Sequence, residues 1–262
     1  MAMRTGRIPR ATRKTPVELE LMREAGRIVA KALSAISEAA VPGVSMSALD
    51  RLAEEVIINS CAKPSFKGYH GFPATICVEP DEIVVHGIPR EDWLLEEGQI
   101  LGIDVGAIYE GFHGDAAITI PIGTISSEKQ NLIDVTRQSL YNGLSLAKAG
   151  NRLRQVCGAI QETAETSGYG VVRALVGHAI GRSMHEPVQV PNFVEEGQFA
   201  EYDLVLRTGQ TFAIEPMINI GTWDVIQDPD GWTIRTADGL PSAHFEHTVA
   251  ITRDAPVILT LP

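Results

Sequence analysis

The sequence predicts an α+β fold, with helices covering one face of a mostly antiparallel sheet, and three observations predict it. Apolar residues recur at helical spacing in two pairs of segments, one pair near the N-terminus and one near the middle of the chain. Each pair is followed by short runs with strand character. No Gly/Ser/Pro-rich linker or low-complexity stretch separates the two, so residues 15–262 read as one domain of two similarly ordered halves. The repetition is one of element order, without a residue-level repeat.

Taken in order, Thr15-Pro16-Val17-Glu18 opens a helix with a hydroxyl cap, a proline in the first turn and a glutamate three residues after the cap. Val17, Leu21, Ala25, Ile28, Val29, Ala32, Leu33 and Ile36 carry the apolar stripe until Val41-Pro42-Gly43 stops it. A second helix is predicted over 47–61, then loop and short strands over 66–89. Residues 99–108 and 112–120 are predicted strands joined by a tight turn at Glu110-Gly111. Helices follow over 127–148 and, after the Ala149-Gly150 break, over 153–166. Strands are predicted over 171–176, 211–214, 232–236 and 244–251.

With 262 residues, 44% of them hydrophobic, the chain can bury a sizeable core, and a net charge of -11 argues against general binding to DNA or to anionic membranes. Cys61, Cys77 and Cys157 are an odd set without metal-finger spacing, which fits a reducing, cytoplasmic setting. No run approaches the roughly 18 apolar residues of a membrane span, and no apolar signal-peptide core opens the chain. Residues 1–14 hold Arg4, Arg7, Arg10, Arg13 and Lys14 with no acid. They read as a basic, disordered tail, or as a contact for an anionic partner such as ribosomal RNA.

The chemistry concentrates in five residues. Asp104 and Asp115 lie in apolar, strand-like runs, as do Glu215 and Glu246, and His178 follows Gly177 at another such run. An ionised carboxylate buried there would cost several kcal/mol unless a counter-charge offset it, and few basic residues are near in sequence. Divalent cations would offset it, and four carboxylates with one imidazole form a hard, oxygen-rich ligand set. Period-2 alternation places Asp104 and Gly106 on one face of the first hairpin strand. A two-residue turn then sets Asp115 opposite Gly106, making the aspartates diagonal neighbours. His178 and His185 are seven apart, which is not the i, i+4 spacing of a helical zinc site; Gly177 and Gly181 suggest a tight loop at a strand end instead. Tyr69, Phe72 and Trp232 are compatible with a pocket or with core.

As an ordered set, six motifs resemble type I methionine aminopeptidases over about residues 15–251. They are Glu79-Pro-Asp-Glu-Ile-Val-Val-His-Gly-Ile-Pro89, Gly102-Ile-Asp-Val-Gly106, Gly114-Asp-Ala-Ala-Ile-Thr119, Gly177-His-Ala-Ile-Gly-Arg-Ser-Met-His-Glu-Pro187, Ile214-Glu-Pro-Met217 and Phe245-Glu-His-Thr248. The resemblance implies the pita-bread fold, two pseudo-symmetric halves of helices packed on antiparallel sheet around a dinuclear metal centre. It implies two divalent cations (Co, Mn, Fe or Zn) held by Asp104, Asp115, His178, Glu215 and Glu246, with Asp115 and Glu246 bridging. It further implies that Glu215 moves the proton, that His86 contacts the reacting end of the substrate, and that His185 hydrogen-bonds the scissile peptide. Tyr69, Phe72, Cys77, Met184 and Trp232, with Phe66 at the edge, would line a methionine pocket.

The implied substrate is the N-terminus of a nascent polypeptide with a small second residue, and the implied state is a cytoplasmic monomer. Ala179 replaces a glycine and Met184 a Phe or Leu common in the family, which bears on pocket shape and second-residue preference. The gap from His178 to Glu215 has no room for the helical insertion of type II enzymes, and a cysteine-rich extension is absent, as in the short bacterial type. On this reading, removal of residues 1–14 should spare cleavage of a short peptide and weaken ribosome association. The rivals are a proline-directed peptidase of the same fold and a catalytically dead binding relative, which would be expected to have lost ligands.

Overall fold

Thr15 closes the first helix, α1 (Pro16–Ala39), through a reciprocal cap: the Glu18 N–H donates to Thr15 Oγ1 at 3.3 Å and the Thr15 N–H to Glu18 Oε2 at 2.9 Å. The computed structural model describes residues 11–195 and 203–262. Helix α2 (Met46–Asn59) is capped by Ser45 and stops before Cys61, which takes a left-handed φ of 58°. The buried stripe of α1, Met22 through Ile36, lies on a hairpin of two long strands, Ile100–Tyr109 and Phe112–Pro121. Contact is direct because both partners are glycine where they meet. A Cβ on Gly114 would sit 2.7 Å from the Gly26 nitrogen.

That hairpin has the predicted register: Gly106 pairs with Asp115, and Tyr109 with Phe112 across a turn in which Glu110 and Gly111 have φ of 47° and 79°. Ile76–Pro80 and the short Lys63–Pro64 pair along the other edge of Ile100–Tyr109, completing the first antiparallel sheet. The second half repeats the order. Helices α3 (Ser127–Ser145) and α4 (Leu153–Thr166) cover an apolar core that includes Phe212, Ile214 and Val249. Its antiparallel sheet runs Val257–Ile258, His247–Ala250, Thr211–Ile214, Gly177–Ala179, Glu186–Val190. Two smaller sheets complete the fold: Ser242–His244 with Met217–Asn219 and Gly170–Val171, and Val225–Gln227 with Ile234–Thr236 and the first-half strand Ile83–Val85, which joins the halves.

Several predicted strands end elsewhere, each where a competing contact takes over. The run 171–176 pairs only as Gly170–Val171, and beyond Val172 the Arg173 guanidinium stacks on Trp223, 4.1 Å from its ring centre. The run 232–236 starts at Ile234, because Asp230 Oδ1 accepts the Trp232 and Thr233 N–H groups, each at 2.9 Å. The run 244–251 is two strands, Ser242–His244 and His247–Ala250. At residues 245–246 the chain crosses from one sheet to the other, as it also does at 215–216, where proline has no N–H to donate. The Glu246 N–H turns instead to the Ala117 carbonyl, 2.8 Å away in the first-half hairpin.

The N-terminal segment corrects the tail boundary expected after residue 14. Lys14 is buried, its N–H donates to the Gly209 carbonyl at 2.7 Å, and its ammonium lies 2.9 Å from Glu186. Arg13 Nε donates to the Thr208 carbonyl at 2.8 Å. These contacts reach residues nearly 200 positions away, which no local pattern reveals. Arg4, Arg7 and Arg10 lie outside the described residues. Among the described residues no helix is long and apolar enough to cross a membrane.

Candidate active site

All the side chains singled out in the sequence converge on one cavity of about 390 Å³, lined by Phe66, Tyr69, His70, Phe72, Cys77, His86, Asp104, Asp115, His178, Met184, His185, Glu215, Trp232 and Glu246. Asp104 stands in its strand between Cys77 on one neighbour and Ala117 on the other. Asp115 reaches the same face from the adjoining strand, its N–H donating to Thr248 Oγ1 at 3.0 Å. His178 sits within Gly177–Ala179, paired with Ala213 and Gln189, rather than in the loop predicted at a strand end. Glu215 and Glu246 occupy the two crossings between sheets. Asn192 Nδ2 donates to the Glu215 carbonyl at 3.0 Å, and Ala117 receives the Glu246 N–H at 2.8 Å.

Among the described residues lining the cavity there is no Lys or Arg to balance the acid groups. His178 Nε2 lies 3.6 Å from Glu215 Oε1 and 4.0 Å from Asp115 Oδ2. Burial pushes the Asp104 carboxyl up to about 7, the nearby Glu79 adding to this and His244 opposing it. Asp115, Glu215 and Glu246 are raised well above the ordinary carboxylate range, by burial first and then by mutual repulsion. Burial, with His185 close by, pulls His178 down to about 3, so its imidazole is neutral and free to ligate.

This donor set fits divalent cations. Asp104 Oδ1, Asp115 Oδ1 and Glu246 Oε1 are buried and have no hydrogen-bond partner among the described residues. Carboxylate oxygens so placed cost several kcal/mol unless they coordinate a cation. One atom from each of Asp115, His178 and Glu246 lies within 4.8 Å of the others.

The opposite wall is apolar. Phe66, Phe72, Cys77 and Met184 are buried together, with Tyr69 and Trp232 packed against them and the Phe72 and Trp232 rings edge-to-face at 5.2 Å. Gly106 allows this wall to approach the aspartates, since a Cβ there would be 2.8 Å from Phe66 Cε1. Burial, then the charge of Asp104, raises the Cys77 thiol well above its ordinary value, so it acts as a small apolar group.

Two histidines stand between the wall and the acid cluster. Tyr69 Oη lies 2.9 Å from His185 Nδ1, and the His185 ring is 4.1 Å from that of His178. His86 follows the strand Ile83–Val85 in a left-handed conformation, φ 61°, and burial, with His244 and His185 adding to it, lowers its pKa to about 4. A non-glycine residue held there marks a position over-determined by its surroundings. Sequence reasoning missed His70, also left-handed at φ 49°. Its flanking Gly68 and Gly71 and the neighbouring Tyr69 and Phe72 were the available signal. It also missed the buried Glu79–His244 pair behind the acid cluster, 3.2 Å apart.

Comparison with known proteins agrees with this arrangement. The profile of metallopeptidase family M24 matches residues 20–253. The methionine aminopeptidase of Clostridium acetobutylicum is 48% identical over 95% of this chain and 98% of its own length. The crystal structure of methionine aminopeptidase from Thermotoga maritima superposes with a TM-score of 0.93 at 42% identity, covering 97% of this chain and all of that one. Prolidase from Pyrococcus furiosus shares the fold alone, with a TM-score of 0.74 at 21% identity, over 95% of this chain but 65% of its own.

Proposed function

The chain belongs to metallopeptidase family M24, and from that premise we propose that it is a methionine aminopeptidase acting on nascent polypeptides whose second residue is small. The observation that carries this reading is the junction, in one cavity, of a buried acid cluster with a sulfur- and ring-lined apolar wall. A methionine side chain suits the wall, because thioether contacts with aromatic rings are favourable. The free α-amine of the substrate suits the acid cluster, which restricts cleavage to chain ends.

Asp104, Asp115, His178, Glu215 and Glu246 would hold two divalent cations, Co, Mn, Fe or Zn. When bound, such cations supply Lewis-acid activation of water and of the scissile carbonyl. Glu215, with its pKa raised by burial and by Asp115, accepts the proton of the attacking water and returns it to the leaving amine as the C–N bond breaks. Tyr69 orients His185 through Nδ1, so that Nε2 is the ring nitrogen directed to the scissile peptide and to the oxyanion formed from it. His86, neutral at pH 7, contacts the reacting end of the substrate.

The enzyme would work in the cytoplasm as a monomer, and Arg4, Arg7 and Arg10 would supply any attraction to ribosomal RNA. The proline-directed alternative is disfavoured by this apolar wall and by a likeness to prolidase that extends to fold alone.

The direct test uses the purified, metal-reconstituted protein on Met-Ala-Ser, Met-Leu-Ser, Leu-Ala-Ser and an Xaa-Pro peptide, with and without chelator. Chelator-sensitive release of methionine from Met-Ala-Ser alone is expected. Hydrolysis of the Xaa-Pro peptide without methionine release would overturn the reading. Within the pocket, Trp232→Ala removes a ring that meets bound and reacting substrate alike, so KM should rise roughly tenfold with kcat within about twofold. A fall in kcat at constant KM would place Trp232 against the reacting atoms instead.

A further inference from the structure

His185 and the pocket residue Met184 lie on one loop, residues 180–185, between the paired strands Gly177–Ala179 and Glu186–Val190. The base of the loop is closed where Ala179 pairs with Glu186, and the Gly181 carbonyl accepts the His113 N–H at 2.9 Å. Its other anchor comes from the start of the chain. The Glu186 carboxylate turns toward residues 12–14, where Lys14 Nζ lies 2.9 Å from both of its oxygens and Thr12 Oγ1 lies 2.9 and 2.7 Å from the same two. Lys14 Nζ also donates to Thr12 Oγ1 at 2.6 Å.

The lysine stem runs beneath the loop, so that a Cβ on Gly181 would meet Lys14 Nζ at 2.7 Å. Lys14 is itself fixed to the frame that carries Glu215: its N–H donates to Gly209, and Arg13 bridges to Gln210, the residue before the strand Thr211–Ile214. The side chains of the pair are 4% and 9% exposed. An ion pair so far from water returns little net stability, because desolvation offsets the attraction; what it sets is geometry.

We propose that Lys14 and Thr12 are positioning residues for the peptidase reaction, their clamp on Glu186 setting the loop 180–185 at the place where His185 meets the scissile peptide. This rests on the reading of His185 given above. It reverses the expectation that residues 1–14 are dispensable for cleavage of a short peptide, because Thr12 and Lys14 make the clamp.

The test combines amide hydrogen exchange with steady-state kinetics on the full-length, metal-reconstituted protein carrying Lys14→Met, Lys14→Arg or Thr12→Val. In Lys14→Met, exchange over residues 180–185 should speed up about tenfold and kcat on Met-Ala-Ser should fall about tenfold or more, the cost of displacing a group near the reacting bond. Lys14→Arg should recover most of both. Thr12→Val, which keeps the ion pair, should show the same pattern at about threefold, and it decides the matter should Lys14→Met not fold. In a His185→Gln background Lys14→Met should cost kcat nothing further.

Unchanged exchange would show that there is no clamp. Faster exchange with kcat unaltered, or the same fold-loss in both backgrounds, would remove the positioning role. Should the unsubstituted protein release no methionine, the functional reading fails by itself, while the exchange result still reports on the clamp.

Discussion

Replacing Asp115 by Asn, or Glu246 by Gln, is expected to lower methionine release about a thousandfold or more, and to weaken metal binding beyond the roughly 10–100-fold typical of residues that only support a ligand. Both carboxylates are buried, 4% and 2% exposed, and each has an oxygen with no partner among the described residues. An amide of nearly the same shape keeps the packing and removes the charge. The decisive feature is that stability should move the other way. After chelation each variant should be more stable than the unsubstituted protein at pH 8, because one member of a mutually repelling set is gone. Titration calorimetry with Mn or Co and urea unfolding of chelated samples read the two effects separately. Full activity with either substitution would exclude the residue from the metal site, and a chelated variant less stable than its parent would attribute the loss to misfolding.

The chelated protein should also lose stability as pH rises above about 6.5, the ordinary histidine value. Two sets of groups oppose each other below that point. The site carboxyls, Asp104 with a pKa of about 7 and Asp115, Glu215 and Glu246 raised well above their ordinary values, hold protons in the folded state that the unfolded chain has released, so each lowers stability as pH rises from about 4. His86, His113 and His247, pulled down to about 4, and His178, to about 3, are neutral when folded while the unfolded chain still binds protons; each raises stability up to about 6.5.

Beyond that value His86, His113, His178 and His247 are neutral in both states, while the carboxyls continue to titrate; His244, which burial lowers but Glu79 and Asp104 raise on balance, also gives up a folded-state proton there and adds to the fall. The slope is roughly 1.4 kcal/mol per pH unit for each carboxyl in its range. Bound cations remove the fall by keeping the carboxylates charged in the folded state. Urea midpoints between pH 6 and 8.5, with chelator and with metal, are the measurement. Equal slopes in the two samples would mean that the acid cluster is not where metal binds.

How much of this was legible in sequence depends on how local the determining interactions are. The hairpin that carries Asp104 and Asp115 was legible to the register, because alternation and a two-residue Glu110-Gly111 turn leave one pairing that buries its apolar face. The α1 cap is local in the same way. The strand runs 171–176, 232–236 and 244–251 were not, because their ends depend on groups distant in sequence or on side chains competing for backbone N–H groups. His70 was passed over although its neighbours were not; a histidine between glycines carries no periodic signal.

By itself, then, the sequence determined the two helix pairs, the hairpin of Asp104 and Asp115, the α+β class and, through the ordered motifs, the family, and it named the ligand-type candidates. Tertiary structure decided that the chain breaks at residues 215–216 and 245–246 to change sheets, which is what frees Glu215 and Glu246 to face the aspartates. It decided too that Lys14, in a stretch that reads as tail, is buried against Glu186, 172 residues away. The physical reason is common to both. Periodicity reports which face of an element is apolar, whereas the satisfaction of a buried charge or an unpaired N–H depends on whatever the fold brings within about 3 Å of it.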